Sequence, residues 1–547
     1  NGGNLTVETG LLEITDGAQI NSITLGEGNA GNIIVRANEV KLVGDSPLGA
    51  SALLASVEPE ATGTGGDLTI NSDRLSLSDG AQISVATFGT GNAGALLITA
   101  QEIEIAGSSQ FGSSGLFVPV ELEATGKGGN LTIDTGSLLV TGGGQIAAST
   151  AGAGDGGEII INATESVELI GGSAQGASGV FANAIFGTGD GGNISLISDR
   201  LLLFDGATIN ASNFSSRNPD VPPGSGKAGN IQIEANSLLL DSAADEASSI
   251  TAATANAGEG NINLQIEDSL IARNGSQINV DTRGSSDGGA IAIVTDFLEL
   301  TSSSQISANS SGTGEASNII ITAGQLNSNN SQITATSERT GGGDIFLTSD
   351  LLSLDNQSLL STSVQDSTGG GGDININTDV LTARNNSDIR ANAVLGAGGN
   401  IDIATQGLFL DSKSEISASS EFGIDGNVNI ETTENRNSIV KLPETTSDRS
   451  QEITTGCAAD RDNVFVSIGK GGIPEDPSQY IVGETLWTDL RPLPQTQKID
   501  ENNQSLATAS AIVEARNWVV NERGKVELIA SASSQPKWQN TFECQEK

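Results

Sequence analysis

The 547-residue sequence predicts an all-β protein, a right-handed parallel β-helix of about 15 coils followed by a small C-terminal capping module. Three observations carry that expectation. A phrase that begins as GGNLTV at residues 2–7 ends as DGNVNI at 425–430, and its second glycine, or the equivalent residue, falls at 3, 31, 66, 94, 129, 157, 192, 229, 260, 289, 317, 343, 372, 399 and 426. Self-similarity at such a period marks stacked supersecondary units. Two and four residues after each anchor stands Ile, Leu or Val, from Leu5 and Val7 to Val428 and Ile430. The residue between them ranges over Thr6, Ile34, Gln232 and Asp402, so the period is two and a helical repeat is excluded. Composition agrees with folding: 36% of residues are hydrophobic, and the 70 glycines bring the apolar share to that of an ordinary folded chain.

Each unit reads as three short strands. The first follows the anchor, and the second is a run such as LLEIT at 11–15 or RLSLS at 74–78. A turn such as DGAQI, at 16–20 and again at 79–83, leads to a third strand that starts at Ile20, Ile83, Ile146, Ile306 or Ile389. Three strands joined by Gly/Asn/Ser turns make one coil, and coils stacked about 4.8 Å apart make parallel sheets. One coil is nearly all edge, so its stability must come from its neighbours.

Early units alternate in length, so that Gly3, Gly66, Gly129 and Gly192 are evenly spaced by 63 residues. The longer units carry PLGASALLASVEPEATG after Ser46, QFGSSGLFVPVELEATG after Ser109 and AQGASGVFANAIFGTG after Ser173. These insertions are expected on one side of the solenoid, either as a lateral ridge or as turn elaborations with one extra strand.

The residue after the anchor is Asn4, Asn32, Asp67, Asn130, Asn193, Asn230, Asn261, Asn318, Asp344, Asp373, Asn400 or Asn427 in twelve of the fifteen units. In register these residues line one corner, where Asn and Asp suit left-handed turn geometry and can bond from coil to coil as a ladder. A calcium site needs several converging carboxylates, and most of the row is amide. The Asp-Gly turns at Asp16, Asp79 and Asp205 read as turn chemistry for the same reason, since the nine-residue calcium-binding repeat is absent. The sequence therefore predicts no catalytic residue, no cofactor and no dedicated metal site, with Ca²⁺ at most a low-affinity ligand.

Charge narrows the function classes. The chain has 25 Lys+Arg against 67 Asp+Glu, a net charge of −42 that repels phosphate backbones and anionic lipids. No nucleic acid is expected as partner. The absence of His removes imidazole mechanisms, including a Ser-His-Asp triad and His-ligated zinc. No apolar run approaches the roughly 20 residues of a transmembrane segment. The chain contains no Met and opens inside a repeat phrase, which reads as part of a longer protein with further coils upstream. Parallel β-helices include pectin-cleaving enzymes and phage tailspikes, which gather charged residues on one sheet face. No repeat-breaking group of that kind stands out here, so the expectation is a non-enzyme. A polysaccharide-acting lyase or glycosidase is the alternative.

Domain boundaries follow composition. Residues 1–430 are the repeat, 431–452 (ETTENRNSIVKLPETTSDRSQE) a polar linker, and 453–547 a capping module with the single Tyr480 and all three tryptophans, Trp487, Trp518 and Trp538. Short strands are expected at VFVSI, 464–468, and KVELIA, 525–530. Cys457 and Cys544 would be free thiols in a cytosolic protein. In an exported one they would pair, closing a loop of about 90 residues worth roughly 4 to 5 kcal/mol in the chain-entropy model.

The run from IVKLPETTSDRSQEITTGC to LWTDLRP, and then EARNWVVNERGKVELIA, resembles the C-terminal region of large cyanobacterial exoproteins similar to filamentous haemagglutinin. Cys457, Phe465, Gly469, Gly471, Gly472, Pro474 and Pro477 carry that resemblance, and with the GGNLTI coils it extends over essentially the whole chain. It implies export by two-partner secretion. An N-terminal secretion domain, not in this sequence, would be recognised by an outer-membrane barrel transporter. The exported β-helix would then act at the cell surface as a structural adhesin toward host, neighbour-cell or matrix surface glycans.

Overall fold

A computed structural model describes residues 1–47, 49–213, 224–242, 246–255, 258, 260–365, 369–432, 517–520 and 526–529. The chain divides into two units, Asn1–Arg436 and Asn437–Lys547. The first is a parallel β-helix. One sheet holds 15 parallel strands in chain order, from Leu5–Thr15 to Val428–Thr432, and a second holds 14 shorter ones. A third side is marked by single bridges, Val57 to Thr87, Thr87 to Val120 and Val120 to Thr150.

The sequence separates the first two strands of a coil, whereas the structure joins them into one strand of 11 residues, such as Leu68–Ser78. Burial alternates along it with one change of phase. Leu68, Ile70, Leu75 and Leu77 are fully buried, while Asp73 and Arg74, next to each other, both face out. Two successive outward residues reset the period without breaking the ladder, so one bent strand looks like two. Hydroxyls hold the bend: Thr135 Oγ1 donates to Ser137 O at 3.0 Å and Thr405 Oγ1 to Gly407 O at 3.1 Å. Where a strand has 12 residues, as in Ile159–Ile170, the register shifts at the bend.

In many coils the turn that follows has two successive residues with positive φ. Asp16 and Gly17 have φ of 56° and 75°, Asp79 and Gly80 of 55° and 88°, and Asn385 and Asn386 of 57° and 66°. Gly, Asn and Asp tolerate that region best, which accounts for the DG, NG and NN turns. The chain then enters the second sheet through strands such as Gln82–Ser84 and Gln145–Ala147.

Each of the three insertions resolves into two parts. A two-stranded antiparallel hairpin comes first, Asp45–Ser46 with Gly49–Ala50, Ser108–Ser109 with Gly112–Ser113, and Gly172–Ser173 with Gly176–Ala177. The rest re-enters the second sheet as Ala52–Val57, Gly115–Phe117 or Gly179–Phe181. Only the hairpins lie outside the coil; Leu53, Leu116 and Val180 are fully buried in the core.

The core is one continuous column of Ile, Leu, Val and Ala that runs through the coils. Each fully buried aliphatic side chain contributes about 1.5–3 kcal/mol relative to exposure. Close stacking explains the anchor glycine. A Cβ on Gly94, Gly129 or Gly157 would collide with the carbonyl oxygen of Gly66, Gly94 or Gly129 in the preceding coil.

In the second unit Asn517–Val520 pairs antiparallel with Val526–Ile529, within the strand expected at 525–530. Cys457, Cys544, the strand expected at 464–468 and all but two residues of the expected linker lie outside the described residues. Among the described residues no helix is long and apolar enough to cross a membrane.

Candidate functional site

The Asn/Asp row forms a coil-to-coil hydrogen-bond ladder. Asn4 Oδ1 accepts from the Asn32 N–H and Asn32 Oδ1 from the Asp67 N–H, both at 3.0 Å, and Asp67 Oδ1 accepts from the Ala95 N–H at 2.9 Å. Asn130 accepts from Glu158, Asn193 from Asn230, Asn230 from Asn261 and Asn261 from Ala290, at 2.8–3.1 Å. Asn318, Asp344, Asp373 and Asn400 continue it, accepting from Asp344, Asp373, Asn400 and Asn427 at 2.7–3.3 Å. Only an acceptor oxygen is needed, so Asp and Asn serve equally. The rungs stop where the row holds Ala95, Glu158 or Ala290.

A second ladder, two residues before the anchor, escaped the sequence reading. Asn1, Asn29, Asn92, Asp155, Asp190 and Asp287 each accept through Oδ1 from a backbone N–H one coil on, at 2.8–3.2 Å. Lys127 Nζ lies 3.0 Å from Asp155 Oδ2. That hydrogen bond is the main reason the Asp155 carboxyl titrates below its ordinary value. The signal was present as Asn or Asp at that offset, diluted by Thr64, Lys127 and Lys227.

Among the described residues, outer hollows lie on both main sheets. On the long-strand sheet a trough of about 1070 Å³ crosses seven neighbouring strands, from Ile194–Phe204 to Ile374–Ala383. Its outward residues flank the bend and include Glu234, Glu267, Asp296, Asp350 and Asp379, with no Lys or Arg among them. In earlier coils several outward acids meet cations, as in Arg36–Glu8 at 3.1 Å, Lys41–Glu13 at 3.0 Å and Arg74–Glu104 at 3.0 Å. On the second sheet a smaller hollow of about 460 Å³ is lined by amides and hydroxyls, among them Gln305, Asn309, Gln332, Thr336 and Ser363, together with apolar Leu359 and Val364. At its far end Arg390 is held by Asp388 at 2.6 Å.

Among the described residues no three acidic or sulfur side chains are grouped so as to hold a metal ion. The turn residues Asp16, Asp79 and Asp205 adopt left-handed backbone, as turn chemistry requires. The chain matches no family model, no curated protein and no solved structure.

Proposed function

We propose that the chain belongs to a secreted or cell-surface structural adhesin of the filamentous haemagglutinin-like, two-partner type, whose solenoid contacts neutral surface glycans. The observation that carries this reading is the second-sheet hollow, where Gln305 and Gln332 stand in one coil-to-coil row and Asn309, Thr336, Ser363 and Asn392 line it with further amide and hydroxyl groups. Such groups match the donors and acceptors of sugar hydroxyls, and stacked strands hold them at a fixed spacing of about 4.8 Å. Net charge favours neutral glycans over acidic ones, because −42 opposes uronate or sialate polymers at long range.

The full chain on a glycan array should retain neutral oligosaccharides, and Gln332→Ala together with Thr336→Ala should weaken that retention. The same glycans are assayed for newly formed reducing ends. Release of such ends would replace the adhesin with the polysaccharide-acting alternative, and an empty array would remove the glycan from the proposal.

A further inference from the structure

The acidic trough lies on a different face from the proposed glycan hollow and invites a different occupant. Its carboxylates sit in a row rather than a cluster. Glu267 and Asp296 come from neighbouring strands, and so do Asp350 and Asp379, with Gly324 in the gap between the pairs. Glu234 stands on the opposite bank. Across seven strands the trough runs about 29 Å, at about 4.8 Å per step. Exposed apolar side chains, Ile197 at 46% and Val294 at 52%, share its lining. Ser198, only 5% exposed, lies under the trough floor at an inward strand position between the core residues Ala163 and Ala235, and its hydroxyl has no hydrogen-bond partner.

We propose that this trough docks an extended, lysine- or arginine-rich polypeptide segment lying along the solenoid axis. Charge decides the sign of the occupant: five carboxylates without a neighbouring cation repel an anionic chain and attract a cationic one. Their spacing decides its form. With no three acids grouped among the described residues, the row suits separate charges on a polymer better than one bound ion. An extended chain rises about 3.3 Å per residue, so about nine residues fill the trough. Long basic side chains reach the carboxylates, and small apolar ones between them cover Ile197 and Val294.

The test uses the full chain and a fluorescent (Lys-Val)5 peptide, with (Glu-Val)5 as the opposite charge, in anisotropy titrations at two salt concentrations. The lysine peptide should bind, more weakly at the higher salt, and the glutamate peptide should not. The triple variant Asp296→Asn, Asp350→Asn, Asp379→Asn should weaken binding at least tenfold. A control triple of equal charge change outside the trough, Glu27→Gln, Asp73→Asn, Glu123→Gln, should stay within twofold. Thr322→Lys, which puts a cation in the trough, gives a second and independent loss. Equal losses in both triples would mean unlocalised charge attraction and overturn the site, as would binding of the glutamate peptide or no binding at all.

Discussion

The backbone N–H of Gly80 donates to Ser114 Oγ at 2.8 Å, joining the tight turn of a short coil to the end of the hairpin in the long coil that follows. Ser114 Oγ in turn donates to Ala106 O at 2.8 Å. The arrangement repeats with Gly17 and Ser51 at 2.9 Å and with Gly143 and Ser178 at 2.9 Å. The glutamine of the same turn joins it: Gln19 Nε2 donates to Ala50 O at 3.2 Å and Gln145 Nε2 to Ala177 O at 3.3 Å. A Cβ on Gly80 would strike Ser109 of the hairpin. Short turn and long hairpin therefore interlock, and the two-coil period is a packing unit.

Ser114→Ala leaves the Gly80 N–H and the Ala106 carbonyl without that hydroxyl in a fully buried place. The expected cost is about 1–3 kcal/mol, read as a lower urea midpoint.

Gly129→Ala places a methyl against the Gly94 carbonyl, and no flexible side chain is there to give way. It should destabilise the solenoid by more than about 3 kcal/mol or prevent folding. Gly10→Ala meets nothing within 4 Å and should be neutral or stabilising by about 0.4–1 kcal/mol. Thermal unfolding of the two variants distinguishes a stacking requirement from a general intolerance of Ala.

Asn261→Ala removes the acceptor of the Ala290 N–H, now bonded at 2.8 Å, and should cost about 1 kcal/mol. Asn261→Asp keeps that acceptor and should cost less. Faster hydrogen exchange at the Ala290 amide in the Ala variant alone would show the rung acting as described.

Burial, the largest influence, pushes the Asp281 carboxyl above its ordinary value, against a hydrogen bond from the Asn309 N–H at 2.9 Å. A raised carboxyl pKa costs the folded state stability above that pKa, and the cost fades as pH falls toward the ordinary value of 3.8. Asp281→Asn keeps the acceptor without the charge. It should raise the melting temperature at pH 7 and make little difference near pH 3.5; a rise that is the same at both would refute the charge as cause.

If the chain adheres to anionic surfaces, or solenoids associate with one another, the net charge of −42 must be bridged. Bridging by divalent cations predicts that millimolar Ca²⁺ strengthens association and a chelator reverses it. Association indifferent to chelator but abolished by modest monovalent salt would point instead to a local basic site.

Much of this molecule was written in its sequence. Inward Ile, Leu and Val at fixed offsets define the sheets, because side-chain direction alternates along any strand. The positive-φ pairs were legible as Asp-Gly and Asn-Asn, and the Asn4-to-Asn427 row by its recurrence at one offset. The first two are local properties of burial and backbone chirality; the row is not, since none of its residues has the left-handed backbone expected of it and its side chains bond to the next coil instead. The merged strand was not legible, since two outward residues such as Asp73 and Arg74 mimic a strand end until the neighbouring ladder is seen to continue through them. Nor were the Gly80–Ser114 interlock, the ladder from Asn1 and Asn29, or the trough of Glu267, Asp296, Asp350 and Asp379. Each joins residues about one coil or more apart, and the register of stacking, set by close packing of whole coils, decides which of them meet.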